Sequence, residues 1–191
     1  RTTILATVKP LHKTETVSLL ESSGRVLAYD VISTVNVPPC DNSAMDGYAV
    51  RAADCVSGVP IPVAGIIYAG AVPQLLQPAT AQRIFTGAPI PAGADTVLMQ
   101  EDCTALDDGC VRINAAPQLH QWIRRAGEDV AVGSVVLSKG ERLTPAALGL
   151  AASIGIDRLH VARRPRVALL STGDELVMPG EVVPEAMPPG A

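Results

Sequence analysis

The segment Val37-Pro38-Pro39-Cys40-Asp41-Asn42-Ser43-Ala44-Met45-Asp46-Gly47-Tyr48-Ala49-Val50-Arg51 constrains this chain more than any other. Each proline fixes its own φ and drives the residue before it out of the helical region, so the chain enters the segment extended. Asp41, Asn42 and Ser43 are short polar residues that bond their own backbone, and Asp46-Gly47 is a turn leading into the strand-like run Tyr48-Ala49-Val50. The result is an ordered loop with a carboxylate at its tip. Taken alone, the loop leaves two roles open for Asp46: a cap on its own backbone, or a group presented to a ligand.

The chain has 191 residues, of which 48% are hydrophobic, enough for one large or two small cores. That core must be aliphatic, because Phe85 and Trp122 are the only Phe and Trp and there are three tyrosines. Sixteen glycines and sixteen prolines imply many turns. A formal net charge of −4 argues against a nucleic-acid partner, which needs a basic face. No run approaches the roughly 18 apolar residues of a membrane span, and nothing resembles a signal peptide. A soluble protein in a reducing cytoplasm is therefore expected, with its true N-terminus missing because the sequence begins with Arg1. Cys40, Cys55, Cys103 and Cys110 form no C-x-x-C pair and have no nearby histidine to complete a zinc site. Cys103 and Cys110 flank the turn Asp107-Asp108-Gly109; two small hydrophobic residues is the preferred reading over a pair facing across a hairpin.

In chain order, Arg1 to Val8 reads as the end of a helix, Thr16 to Leu20 as a short strand, and Val26, Leu27, Val31, Ile32 and Val35 as core positions. Pro60 and Pro62 make Val59 to Gly65 an edge strand or an extended loop. A strand ends at Phe85, the backbone turns at Thr86-Gly87, and a proline-stiffened loop of small residues leads to a second strand near Thr96. Small residues let a ligand approach the backbone, so the Thr86 hydroxyl and nearby amides are either an anion site or a plain β-connection. Arg124-Arg125-Ala126-Gly127-Glu128-Asp129 concentrates four charges around one glycine: guanidinium forks suit phosphate, and the alternative is a solvated turn with local ion pairs. Thr144-Pro145 is a helix start, with threonine at the N-cap and proline at the first helical position, and Gly155 is its stop. Arg166-Val167-Ala168-Leu169-Leu170 followed by Ser171-Thr172-Gly173-Asp174-Glu175 reads as a buried parallel strand opening an α/β domain. Too few residues follow for the crossovers such a domain needs, so the chain is expected to be a fragment.

Four of these segments, in fixed order, resemble the molybdopterin molybdenumtransferases, a family similar to the E domain of gephyrin and of its plant counterpart. They are Asp41 to Arg51, Thr86-Gly87-Ala88-Pro89-Ile90-Pro91, Ile123-Arg124-Arg125 with Gly127-Glu128-Asp129, and Ser171-Thr172-Gly173-Asp174-Glu175-Leu176. The similarity covers the N-terminal half of such an enzyme; its Gly-rich pterin-binding loop, downstream lysines and aspartates and C-terminal barrel have no counterpart here. Cys40 replaces the aromatic residue expected before Asp41. The resemblance implies an enzyme that takes adenylylated molybdopterin and molybdate, cleaves the adenylate with a divalent cation, expected to be Mg2+, and yields molybdenum cofactor and AMP. It also implies a homodimer with a shared cleft, and the molybdopterin adenylyltransferase as a partner. Carried over by motif, Asp46, Thr86 and Glu175 are the expected catalytic positions, and Arg124 and Asp129 the substrate-binding ones; no carboxylate is assigned to metal.

The expected fold is α+β and strand-rich. A β-rich domain of residues 38–140 is inserted into a small α+β domain of residues 1–37 and 141–163, and residues 164–191 begin an incomplete α/β domain. Two alternatives from other classes stand beside the enzyme: a gephyrin-type scaffold, for which no exposed aromatic patch is visible in the sequence, and a generic phosphate-binding β-protein.

Overall fold

A computed structural model describes residues 12–173 and 177–180. The helix expected over Arg1 to Val8 lies outside them. The described residues are strand-rich, with one α-helix, α1 (Pro145–Ser153). Its start is set as the sequence dictates: the Thr144 hydroxyl accepts the Ala147 N–H at 3.2 Å and Pro145 needs no donor of its own. Gly155 takes the left-handed conformation that stops it, with φ +81°.

Strands from distant parts of the chain close one body. β1 (Thr14–Ser18) pairs antiparallel with β12 (Arg158–Ala162), Thr14 facing Ala162 and Ser18 facing Arg158. β2 (Val31–Ile32) pairs with β11 (Val135–Leu137) across a register shift. Leu27, Val31, Val130, Leu137 and Leu143 bury their side chains with Ala147 and Ala151 of α1 and Leu159 and Val161 of β12.

The second body is a six-stranded mixed sheet built from β4 (Gly47–Val50), β5 (Pro60–Ile67), β6 (Ala81–Ile84), β7 (Thr96–Met99), β8 (Cys103–Ala105) and β9 (Cys110–Ile113). Their order across the sheet is β7-β4-β6-β5-β9-β8. Alternate side chains feed two clusters, as a strand's two-residue period requires. Tyr48 and Val50 pack with Ile61, Leu98 and Val111, whereas Ala49 packs with Ile67, Ile84 and Val97 on the other face. Two short strands, β3 (Asn42–Ser43) and β10 (Ile123–Arg124), pair antiparallel beside this sheet.

Three local expectations are corrected. Of the five positions read as core between Val26 and Val35, Leu27 and Val31 are buried, whereas Val26, Ile32 and Val35 are exposed. β5 is an interior strand despite its prolines: Pro60 and Pro62 pair only with β9, and parallel pairing with β6 begins at Val63. The missing proline donors therefore fall where one side of the strand is still unpaired. The run Arg166 to Leu170 forms no strand, and Val167, Leu169 and Leu170 are exposed. A parallel strand takes its ladder from neighbours, and none among the described residues pairs with it. Cys103 faces Ile113 across the β8–β9 hairpin, and all four cysteines are free thiols.

Candidate functional site

The opening loop and the Thr86 loop are stitched together by backbone. The Ser43 N–H donates to Ala88 O at 2.9 Å, Gly87 N–H to Ser43 O at 2.8 Å, and Ile90 N–H to Asp41 O at 3.0 Å. On its other edge the same segment pairs with β10, Asn42 facing Arg124 and Ser43 facing Ile123. The three motif segments around Asp46, Thr86 and Arg124 thus share one framework, with Asn42 and Ser43 at its centre. The Asn42 Oδ1 is buried there without a hydrogen-bond partner.

Asp46 stands at the end of this framework. Its Oδ1 accepts both the Thr86 N–H at 2.8 Å and the Thr86 hydroxyl at 2.7 Å. Its Oδ2 has no hydrogen bond among the described residues. The next residue is glycine for a steric reason: a Cβ on Gly47 would lie 1.8 Å from the Leu98 carbonyl oxygen. Close approach of β4 to β7 is what sets the Asp46 backbone, whose carbonyl accepts the Gln100 N–H at 3.0 Å. The Thr86 amide, then its hydroxyl, hold the Asp46 carboxyl below the usual carboxylate range, and Arg83 adds a smaller effect against partial desolvation. A carboxylate so held is ionised at neutral pH. It can accept N–H groups or bind a cation, and it is poorly matched to carrying a proton back and forth.

Arg124 and Asp129 come together directly. The Arg124 Nη2 lies 2.6 Å from both Asp129 carboxylate oxygens, and Nε is 3.8 Å from Glu128 Oε1. These contacts raise the Arg124 pKa, Asp129 being the larger cause. Arg125 pairs with Asp41, whose other oxygen accepts the Ala126 N–H at 2.9 Å. The Ala126 amide first and Arg125 second push the Asp41 carboxyl down. Gly127 makes the turn possible at φ +74°; a Cβ there would meet Asn36 Oδ1 at 2.9 Å. Both guanidinium groups therefore already have carboxylate partners, at exposures that leave them reachable from solvent.

Of the five residues named from sequence, the structure joins Asp46 to Thr86 and Arg124 to Asp129, and links the two pairs through Asn42 and Ser43. Glu175 lies outside the described residues. Sequence reasoning missed Asp41 as the partner of Arg125 and Arg83 as the cation beside Asp46. Asp41 belongs to the first motif segment, so its polarity was a usable signal; nothing local marks Arg83.

Among the described residues no three His, Cys, Asp or Glu side chains gather into a metal site. A Mg2+ ion is usually held by one or two carboxylates together with substrate phosphates. One unengaged oxygen of an ionised Asp46 fits that requirement as a single protein ligand.

Residues 1–155 match the family described as the MoeA N-terminal region (domain I and II). The chain belongs to the MoeA family. Among MoeA relatives, the molybdopterin molybdenumtransferase of Haemophilus influenzae is 48% identical over 170 residues, covering 88% of this chain and 42% of its own length. Molybdopterin molybdenumtransferase 2 of Mycobacterium tuberculosis is 48% identical over 172 residues, covering 86% and 42%. The crystal structure of the molybdopterin biosynthesis MoeA protein from Pyrococcus horikoshii superposes with a TM-score of 0.84 at 35% identity, over 91% of this chain and 48% of that one. The chain thus spans less than half the length of each of these relatives.

Proposed function

We propose that this chain is the N-terminal part of a molybdopterin molybdenumtransferase, which inserts molybdate into adenylylated molybdopterin and releases molybdenum cofactor and AMP. The observation that carries the reading is the Asp46–Thr86 clasp, in which two separate family-type segments meet at one carboxylate oxygen and leave the other open. The family membership and the names of the relatives support the reaction class.

In this reading Asp46 is the protein ligand for Mg2+, which when bound supplies positive charge to a phosphoryl group and its leaving oxygen. Thr86 fixes the Asp46 carboxylate in one rotamer and keeps it ionised. Arg124, whose Nη2 is shared between the two Asp129 oxygens, faces the anionic part of the substrate, and this ion pair restrains the side chain before the substrate arrives. Glu175 is proposed as a second acidic catalytic position. A discontinuous small body with a β-rich body inserted into it is supported by the pairing of β1 with β12 and of β2 with β11; Val130 and Leu137 pack in the small body's core, so its returning segment starts before residue 141. A homodimer in the cytoplasm, receiving its substrate from a molybdopterin adenylyltransferase, completes the proposal. No helix of the described residues is long and apolar enough to cross a membrane.

The test is complementation. Cells lacking their own molybdenumtransferase are expected to regain molybdoenzyme activity when given the full-length protein that carries this chain; failure to regain it overturns the proposal and returns the generic phosphate-binding reading.

A further inference from the structure

The two carbonyls on either side of the Gly47 Cα are each held by a residue from outside β4. Asp46 O accepts the Gln100 N–H at 3.0 Å, and Gly47 O accepts from Arg83 Nη1 at 3.4 Å. Arg83 and Gln100 are also joined to each other, the Arg83 Nη2 donating to Gln100 Oε1. These bonds close a circuit through the Asp46-Gly47 backbone, with one member on β6 and the other on the helical turn that follows β7.

Arg83 is itself seated on aromatic rings. Its guanidinium lies 5.1 Å from the centroids of both Tyr48 and Phe85, and the Tyr68 ring stacks on Phe85 with centroids 5.3 Å apart and planes within 7°. Strand register builds the row: Tyr48 faces Arg83, and Ile67 pairs with Ile84, which brings the next residues, Tyr68 and Phe85, alongside each other. A guanidinium drawn partly out of water is ordinarily matched by a carboxylate. Arg25, Arg51, Arg124 and Arg125 each have one, whereas the half-buried Arg83 pairs with none among the described residues. Packing alone gives no reason for a cation here, since an apolar side chain would fill the seat without a desolvation cost. What only arginine supplies is a flat group for the rings together with a fork that reaches two acceptors at once. Both acceptors bear on Asp46: one is the carbonyl of the next residue, the other belongs to the side chain whose own N–H holds the Asp46 carbonyl.

Resting on the molybdenumtransferase reading, we propose that Arg83, acting through Gln100 and the Gly47 carbonyl, is a positioning residue for Asp46. Thr86 fixes the carboxylate at the tip of the side chain, and the Arg83–Gln100 circuit fixes the backbone from which that side chain projects. With both ends held, the open Oδ2 keeps one direction before any ligand arrives, and its ordering is not charged to the reaction step. Arg83 touches no reacting atom in this account. Its two donors are spent on the protein, and its effect reaches the reaction only through Asp46.

Two measurements test this. Arg83→Met keeps the aliphatic stem and removes donors and charge; Gln100→Ala removes the Oε1 acceptor and keeps the N–H to Asp46. In the 191-residue chain, the Thr86 and Gln100 amides, which both donate to Asp46, should exchange about two- to tenfold faster in either variant, the range one hydrogen bond supplies. The Ala147 amide at the start of α1 should exchange as in wild type. In the full-length protein, single-turnover AMP release should fall about ten- to a hundredfold in Arg83→Met, with the half-saturating substrate concentration changed less than about twofold. The losses from Arg83→Met and Gln100→Ala should be less than additive, because both break one circuit. The proposal is overturned by unchanged exchange at Thr86 and Gln100, by exchange that rises equally at Ala147, or by AMP release at the wild-type rate in Arg83→Met. Should Arg83→Met not fold, Gln100→Ala, at an exposed position, decides by the same two readouts. Absence of AMP release by the wild-type protein would instead overturn the reaction, and the exchange measurement would still decide the role of Arg83.

Discussion

Replacing Gly47 with alanine tests the packing that holds Asp46 in place. A Cβ on Gly47 would sit 1.8 Å from Leu98 O and 2.8 Å from Leu98 C. Contacts under 3.0 Å are essentially never seen for real Cβ atoms, so β4 and β7 must part by at least about 1.2 Å, backbone against backbone. Overpacking of that kind costs roughly 1–3 kcal/mol. The separation also strains the Gln100 N–H to Asp46 O bond and a neighbouring ladder bond, each contributing about 0.5–1.5 kcal/mol. A destabilisation of about 3 kcal/mol is expected, seen as a fall in Tm of roughly 6–12 °C for a chain of this size or a fall in the urea midpoint with m unchanged. Gly65→Ala is the control: it too is in a strand, its φ is outside the left-handed region, and nothing lies within 4 Å of its Cβ, so a change within about 0.5 kcal/mol is expected. If Gly47→Ala and Gly65→Ala are equally stable, the close approach of β4 to β7 is not what fixes the Asp46 loop.

Four further outcomes follow from the same geometry. Gly149 lies inside α1 with no atom within 4 Å of its would-be Cβ and no positive φ, so Gly149→Ala should stabilise the chain by about 0.5–1 kcal/mol in urea unfolding. Burial raises the Cys55 and Cys103 thiols to about 11, whereas Cys40 is exposed; at pH 8 iodoacetamide should modify Cys40 well before either of them, as peptide mass mapping would read. The folded pKa of Asp41 lies below its ordinary 3.8, so its contribution to stability is fully present above that value and is lost as pH falls through the folded pKa; Asp41→Asn should flatten the acid limb of stability below about pH 4 and leave the slope near pH 7 unchanged. The chain by itself, given adenylylated molybdopterin and molybdate, should release no AMP above background, since it spans only 42% of the relatives named for that activity.

Features written in neighbouring residues are legible in the sequence. Thr144-Pro145 and Gly155 bracket α1 because capping is a local matter, decided by one hydroxyl and one left-handed glycine. The Asp46 and Thr86 segments are also recognisable, but their meeting at one carboxylate oxygen depends on pairing across forty residues. The prolines of β5 mislead because their effect depends on which neighbour strand stands opposite, and that changes at Val63. Arg166 to Leu170 has the composition of a buried strand, yet composition cannot supply the partners a parallel ladder needs. The aromatic row of Tyr48, Phe85 and Tyr68 is invisible in the sequence for a related reason. It is assembled by strand register, and no periodicity marks residues that become neighbours only across a sheet.

If the Asp46–Thr86 clasp serves the reaction and not only the fold, removing the Asp46 charge must slow AMP release at unchanged stability. Single-turnover AMP release from adenylylated molybdopterin by the full-length protein measures it directly, comparing wild type with Asp46→Asn and Thr86→Val at matched unfolding midpoints. Asp46→Asn keeps the side chain's shape and removes its charge, so AMP release should fall by at least about a hundredfold; Thr86→Val, which keeps the backbone N–H and loses the hydroxyl, should fall less. AMP release by Asp46→Asn at the wild-type rate would mean that the clasp serves the fold alone.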